Sequence, residues 1–183
     1  MGVTMGDSRV SLGLSGHKAS DTEQENKPMS TTVKTQAQAI NELRDAIIEF
    51  EANGFVNDEL KVSVSRSLRD VQVRDFLMGV TYEGHSIELV ARFIEHLITT
   101  ATPEEVAPMN SVLGAYRYRM GDTNGASECL DTATEADPGH SLTLLLRRVI
   151  GSGWIPEAFE AMTTELHPKV VAGIEAGGEL ELI

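Results

Sequence analysis

The chain has little cysteine, few aromatic residues and few basic residues, and each shortage excludes a class of protein. Its single cysteine, Cys129, cannot form a disulfide within the chain, so a disulfide-stapled secreted scaffold is excluded and a cytoplasmic location is expected. The 15 basic residues are outnumbered by 28 acidic ones, and the net charge of -13 argues against direct binding to nucleic acid. No apolar run reaches the roughly 18 residues that a membrane helix needs, so no membrane contact is expected.

The sequence also lacks the spacings that hold metals, cofactors or catalytic groups. It contains no P-loop, GxSxG or GxGxxG motif, and the surroundings of Cys129 would not activate a thiol. The histidines show no pair at i, i+4 spacing and no acidic partner in a metal-binding motif. They are His17, His85, His96, His140 and His167. We therefore expect no metal, no cofactor, no catalytic residue and no enzymatic activity.

Composition divides the chain into a polar tail, a helical domain and a short second tail. Residues 1–33 have too few apolar side chains to offset the entropy cost of ordering, so they are predicted to be a disordered N-terminal tail. Helical spacing of apolar residues predicts a folded domain over residues 34–176, followed by a C-terminal tail over residues 177–183. Met29 is an alternative native start to Met1.

Apolar residues recur at helical spacing from Gln36 onward, and Asn53-Gly54 is a typical helix stop. Asn57 is placed to cap a second helix, whose apolar stripe continues to Val71. A third helix is predicted to begin at Ser86. The segment between the second and third helices, VQVRDFLMGV, is rich in branched residues, so a short strand is an alternative to the helix that we favour.

The middle of the chain carries a sharper helix signal. Thr102 is a capping residue, Pro103 suits the first helical position, and Glu105 completes a capping box. Gly121 ends this helix with a tight turn, and a second helix follows until Pro138 forces a break. The pair is therefore predicted to form a helical hairpin.

Small residues inside this hairpin match the positions of a tetratricopeptide unit. Gly114 and Ala126 would let the two helices approach closely, and Met120 is expected to face inward with Tyr116. Only one such unit is present, whereas a stable array needs three or more. The pattern thus predicts a tetratricopeptide-like hairpin within a larger bundle.

The last third of the chain predicts three further helices. Ser141–Ile150 is apolar nearly all round, which is typical of a buried helix. After Gly151-Ser152-Gly153, Pro156–Thr164 and Pro168–Ala176 are predicted as two shorter helices. The predicted fold class is all-α, a helical bundle that contains the tetratricopeptide-like hairpin.

The stretch Glu104–Phe159, centred on AYRYRMGDTNGASECLDTATEADPGHSLTLLLRRVIGSGWIPEAF, resembles the C-terminal part of the domain of unknown function 4192 family of actinobacteria and their phages. Upstream, VRDFLMG at Val73–Gly79 is similar to a Val-Arg-Asp segment of that family. The resemblance covers Gln36–Met162, without the N-terminal half of the usual domain. It implies a helical, repeat-like fold and an actinobacterial or phage source. The family has no established reaction, so the resemblance supplies no catalytic residues.

Four residues are candidates for binding a partner protein: Tyr118, Arg119, Arg147 and Arg148. Tyr118 and Arg119 lie in AYRYRM, the only stretch in which aromatic and basic residues alternate, and both are expected to face outward. Arg147 and Arg148 stand on an otherwise apolar helix, and a guanidinium fork suits a carboxylate of a partner. The alternative that we favour for this arginine pair is structural, since it would neutralise nearby acidic residues close to a helix C-terminus.

Asp75 falls close to the predicted apolar seam of the second helix. As a buried group it could act as an acid or a base, but we favour a structural role in which Asp75 pairs with an arginine or caps a helix. A pocket that held Asp75 together with a histidine and an arginine would instead favour an enzyme.

These observations lead to a ranked set of hypotheses. The first is a non-enzymatic accessory protein that acts through contacts with an unidentified protein partner, with phage-encoded, host-directed action as one form of it. The alternative is an acidic mimic of nucleic acid that inhibits a nucleic-acid-binding protein, although the acidic residues are scattered and acid excess commonly serves solubility. An uncharacterised enzyme ranks third. A homodimer is also compatible with the sequence, because dimerisation would cover the apolar last helix.

Overall fold

The computed structural model describes residues 34–177 and Leu182, and the regular elements of this part of the chain are helices. The α-helices are α1 (Gln36–Asn53), α2 (Asp58–Ser67), α3 (Val71–Gly79), α4 (Ile87–Ile98), α5 (Pro103–Arg119), α6 (Thr123–Ala136), α7 (Ser141–Gly151) and α8 (Pro156–Glu175). A 3₁₀ helix over Val80–Glu83 joins α3 to α4. The predicted all-α fold is confirmed. The predicted N-terminal tail, the alternative start at Met29 and most of the C-terminal tail lie outside the described residues.

Local capping chemistry fixes most of the helix boundaries. The side chain of Asn57 accepts a hydrogen bond from the Leu60 amide at 3.0 Å, as expected of an N-cap. Glu105 Oε2 accepts from the amide of Thr102 at 2.9 Å and completes the predicted capping box. Gly54 ends α1 with a φ of 76°, a conformation that favours glycine. These boundaries were predictable because each depends on a few adjacent residues.

Helices α5 and α6 form the predicted hairpin. A Cβ placed on Gly114 would lie 3.3 Å from both the carbonyl oxygen of Ala126 and the side chain of Leu130, so the small residue permits the close approach. Gly121 makes the turn with a φ of 80°. The hairpin therefore rests on the small residues that the sequence pattern identified.

Helix α5 lies at the centre of the bundle, with α3, α4, α6, α7 and α8 packed around it. Tyr116 is fully buried there, and its hydroxyl donates to the main-chain carbonyl of Leu77 at 2.8 Å. The largest fully buried side chains form one core: Tyr116, Phe76, Phe93, Phe159, Leu43, Ile47, Leu68, Leu77, Ile94, Leu97, Met109 and Leu130. Most of α5 is therefore covered by neighbouring helices.

Four sequence expectations about the helices are wrong. Helix α2 stops before Val71 because Asp70 caps α3, its carboxylate accepting the amide of Gln72 at 2.8 Å. Met120 is exposed, since it already lies past the last turn of α5. The last two predicted helices are one helix, α8, which continues through Pro168.

The fourth wrong expectation is that α7 is buried all round. Leu144 and Leu145 of α7 are 49% and 50% exposed, whereas Thr143 is buried and bonds to Ser111 of α5 at 2.6 Å. The polar residue thus faces the bundle because it has a partner there, and the two leucines face out. No helix in residues 34–177 combines the length and apolarity needed to cross a bilayer.

Candidate functional site

A cleft of about 220 Å³ lies between α3, α7 and α8. Half of its lining residues are aliphatic or methionine. The lining residues are Arg74, Asp75, Met78 and Gly79 from α3, Ser141, Leu142 and Leu145 from α7, and Met162, Thr163, Leu166, His167 and Val170 from α8. An apolar cavity with a small number of polar groups is the usual form of a binding site.

One wall of the cleft carries an ion pair between two adjacent residues of α3. Asp75 Oδ1 accepts from Arg74 Nε at 3.2 Å and from Arg74 Nη2 at 3.0 Å. The arginine side chain is only 7% exposed, whereas that of the aspartate is 36% exposed. The second carboxylate oxygen of Asp75 has no hydrogen-bond partner within the described residues. The predicted pairing of Asp75 with an arginine is therefore present, and one of its oxygens stays available.

His167 forms part of the opposite wall and is 6% exposed. Neither of its ring nitrogens has a hydrogen-bond partner in the described part of the chain. The ring packs against Phe76 at 5.2 Å between centroids and against Tyr82 at 6.0 Å. Burial lowers the pKa of His167, nearby Arg44 lowers it further, and Glu83 acts in the opposite direction. The imidazole is therefore neutral near pH 7, with one N–H group and one lone pair.

A buried polar network holds the first turn of α7 against the bundle. His140 Nδ1 lies 2.9 Å from Thr143 Oγ1 and 3.2 Å from Ser111 Oγ. Its other ring nitrogen lies 3.5 Å from Arg74 Nη1, so the network reaches the ion pair of the cleft. Burial lowers the pKa of His140, and the charge of Arg74 lowers it further. The network therefore joins the start of α7 to α5 and α3.

The rim of the cleft is apolar and basic in an otherwise acidic protein. Leu145 and Leu166 line the cleft and are about half exposed, and Leu144 and Arg148 are exposed on the same outer side of α7. Among the α-helices of residues 34–177, α7 alone contains no acidic residue. We call these four residues the α7 rim.

Two of the predicted binding residues face the interior, so the expectation that they point outward is wrong. Tyr118 is 5% exposed, and its hydroxyl donates to the carbonyl of Trp154 in the α7–α8 loop. The side chain of Arg119 is 2% exposed, donates to Thr81 Oγ1 at 3.0 Å and packs over the ring of Tyr116. Helix α8 covers this end of α5, which sequence spacing within α5 alone could not reveal.

The other two predicted residues are on the surface but differ in their contacts. Arg147 binds back to α6, where it pairs with Asp131 and donates to Thr134 Oγ1 at 3.0 Å. That arrangement agrees with the structural alternative for Arg147. Arg148 is exposed and has no ion pair within the described residues. Only Arg148 is therefore placed to meet a partner.

The sequence reasoning missed His167 and the α8 side of the cleft. The prediction of two helices, one ending at Thr164 and the other starting at Pro168, leaves His167 between them and separates it from the apolar residues that share its helix. The available signal was the helical spacing of Phe159, Met162, Leu166 and Val170, which runs through the proline without interruption. Within the described residues no group of three or more His, Cys, Asp or Glu side chains is arranged to hold a metal ion.

The fold and the cleft define an all-α helical protein with a small apolar site at its surface. Comparison with family models places it more narrowly: the chain belongs to the family described as Domain of unknown function (DUF4192), whose model matches residues 8–157. The match starts well before Gln36, where the resemblance was expected to begin, and it ends at the start of α8. No curated protein and no solved structure matches the chain.

Proposed function

We propose that the protein binds a partner protein through the cleft between α3, α7 and α8. The observation that carries this proposal is the exposure of two adjacent leucines of α7. Leu144 and Leu145 are each about half exposed, and Leu145 lines the apolar cleft. Exposed apolar side chains that surround a pocket are typical of protein-binding surfaces. A cytoplasmic accessory role in an actinobacterium or its phage is part of the same proposal, and it rests on the family resemblance.

Charge decides what kind of partner fits. The chain as a whole carries -13, yet the α7 rim contributes the basic side chain of Arg148 and no acidic one. Because α7 has no acidic residue and Arg148 is exposed on it, carboxylates of a partner fit this part of an otherwise acidic chain. We therefore propose an amphipathic segment of the partner that has apolar residues on one side and carboxylates on the other.

Selection from a displayed library of random 16-residue peptides tests this proposal. The expected result is enrichment of peptides that combine apolar and acidic residues and that lose binding to Leu145→Asp and to Arg148→Glu. Ile48→Asp and Arg66→Glu are matched controls, because Ile48 of α1 is 57% exposed, Arg66 of α2 is an exposed arginine, and neither residue lines the cleft. Both controls should retain binding.

Three results would contradict the proposal: no enrichment, enrichment of basic peptides, or equal loss of binding in the control variants. A second copy of this chain is the other occupant that the cleft could bind. Sedimentation of the protein alone detects such a dimer. A dimer that Leu145→Asp dissociates and Ile48→Asp preserves would assign the α7 rim to self-association, and the proposal of a different partner would then be wrong.

A specific observation also supports an enzyme as a second candidate. The cleft is lined by Arg74, Asp75 and His167, the combination of residue types that would favour catalysis. Within the described residues, however, no hydrogen bond joins His167 to Asp75, so the imidazole lacks the orienting contact of a catalytic base. A screen with fluorogenic carboxylic and phosphoric esters tests whether the protein is an enzyme, because an enzyme would show turnover that His167→Leu abolishes.

A further inference from the structure

The volume of the cleft sets the size of what can enter it. A cavity of about 150 Å³ is enough for a benzene ring, whereas pockets for larger organic ligands start at about 300 Å³. The 220 Å³ of this cleft lies between the two, so it has room for one ring and a substituent of a few atoms. That size corresponds to a single large side chain of a bound protein.

The lining favours an aromatic side chain over an aliphatic one. Two of the apolar lining residues are Met78 and Met162, on facing helices α3 and α8. Thioether sulfur makes favourable contacts with aromatic rings, and the unbranched methionine side chain adapts to a flat ring. Leu142, Leu145, Leu166 and Val170 supply the remaining apolar surface.

Two groups that line the cleft, Asp75 and His167, have acceptor atoms without a hydrogen-bond partner in the described part of the chain. Asp75 uses one oxygen for Arg74 and leaves the other without a partner in the described part of the chain, and a carboxylate can only accept. His167 is 94% buried with both nitrogens unpartnered, and a neutral imidazole accepts at one of them. A buried polar group without a partner is costly, so a ligand that donates a hydrogen bond relieves that cost.

We infer that the cleft takes one aromatic side chain of the partner that carries a donor on its ring, the O–H of a tyrosine or the N–H of a tryptophan. The ring fills the space between the methionines, and its donor reaches Asp75 or His167. This inference rests on the proposed function, since it names the anchoring residue of the partner segment. The indole or phenol is a single anchor, and the α7 rim supplies the contacts around it.

Titration with two small molecules that differ by one hydroxyl group tests the inference. The probes are p-cresol, which corresponds to the tyrosine side chain, and toluene, which corresponds to phenylalanine. Toluene is the more apolar of the two, so burial alone would favour it, whereas a hydrogen bond in the cleft favours p-cresol. We expect p-cresol to bind about tenfold more tightly than toluene. Chemical shifts of the methionine methyl groups report binding of either probe.

Two variants identify the acceptor and control for folding. Asp75→Asn keeps the shape of the side chain, and His167→Leu removes both ring nitrogens. At least one of the two variants should abolish the preference for p-cresol, while each continues to bind toluene and so has an intact cavity. Ile48→Asp serves as the control that retains the preference.

The outcomes separate this inference from the proposed function. Tighter binding of toluene, no binding of either probe, or a preference for p-cresol that both variants retain would overturn the aromatic anchor. Library peptides that still depend on Leu145 would then leave protein binding in place. Conversely, a preference for p-cresol that depends on Asp75 or His167, with no peptide enriched, would support the site and contradict a protein partner.

Discussion

The absence of a side chain at Gly79 makes room for the imidazole of His167. A Cβ added to Gly79 of α3 would overlap Nδ1 of His167 and would lie 2.7 Å from its Cγ and 2.8 Å from its Cβ, all closer than real contacts allow. The two residues, both in the lining of the cleft, are therefore a point of close approach between α3 and α8. The contact thereby connects helix packing to the candidate site.

Gly79→Ala should therefore destabilise the protein, even though alanine is the better helix former. The added methyl group must push His167 and α8 away from α3, and overpacking of this kind costs about 1–3 kcal/mol. Chemical denaturation measures the loss. Gly151→Ala is the matched control, because Gly151 is also helical and an added Cβ meets no atom within 4 Å. That variant should be unchanged or more stable by about 0.4–1 kcal/mol, and an equal loss in both variants would contradict the packing account.

Asp75→Ala should lower the free energy of unfolding by about 1–3 kcal/mol. The change leaves the guanidinium of Arg74 buried without its carboxylate, and the partial exposure of Asp75 keeps the cost below that of a fully buried pair. Thermal unfolding measures the effect. Glu165→Ala removes the exposed pair of Glu165 with Lys169 and should change stability by less than about 0.5 kcal/mol. An unchanged melting temperature for Asp75→Ala would refute the structural role of the ion pair.

Arg119→Ala should cost about 2–3 kcal/mol, although the residue first suggested a binding surface. Arg119 is buried between the rings of Tyr82 and Tyr116 and donates to Thr81, so its removal loses packing and leaves an acceptor unpaired. Arg148→Ala should stay within about 0.5 kcal/mol, because its side chain is exposed. Denaturation of the two variants side by side checks the assignment. Equal effects would contradict the distinction between an interior and a surface arginine.

Stability should fall as the pH decreases from 7 toward 5. Burial lowers the pKa values of His140 and His167 in the folded protein, so the unfolded chain binds protons that the folded chain does not. The contribution is fully present above the ordinary histidine pKa of about 6.5 and is lost as the pH falls toward the folded values. Denaturation at several pH values measures the slope. His167→Leu should reduce it, and an unchanged slope would exclude a neutral buried His167.

Carboxylates add a second loss of stability at lower pH. The hydrogen bond from Arg44 is the largest effect on the pKa of Glu83 and lowers it. Burial raises the pKa of Glu42, but the hydrogen bonds from Lys34 and Ser63 together with the charge of Lys34 lower it overall. These groups stabilise the fold above the ordinary glutamate pKa and lose that effect below it. The two pH ranges are separate, so the histidine and carboxylate effects can be measured independently.

Helix boundaries were predictable where adjacent residues determine them. Asn57 caps α2, Thr102 and Pro103 start α5, and Gly121 turns the chain, each through contacts within three or four residues. The same locality explains why the hairpin of α5 and α6 was predicted with correct ends. Capping and turn chemistry act in the same way whatever the rest of the chain does.

Exposure was not predictable in the same way, because it depends on helices that are distant in sequence. Tyr118 is covered by Phe159 of α8 and Arg119 by Tyr82 of the 3₁₀ helix. Leu145 is exposed on the helix that turns Thr143 toward Ser111 inside the bundle. Predicting the candidate site depends on knowing which residues of α7 are exposed and on knowing that α8 continues through Pro168. Its residues come from three helices, so no local pattern in the sequence could join them.

The most direct test of a protein-binding cleft is photo-crosslinking in the cell that makes the protein. A photoreactive amino acid at position 145 should crosslink one discrete partner, and the same group at position 48 should not. Arg148→Glu should abolish the product from position 145, whereas Arg66→Glu should leave it unchanged. Equal crosslinking from positions 145 and 48, or none from position 145, would contradict the account.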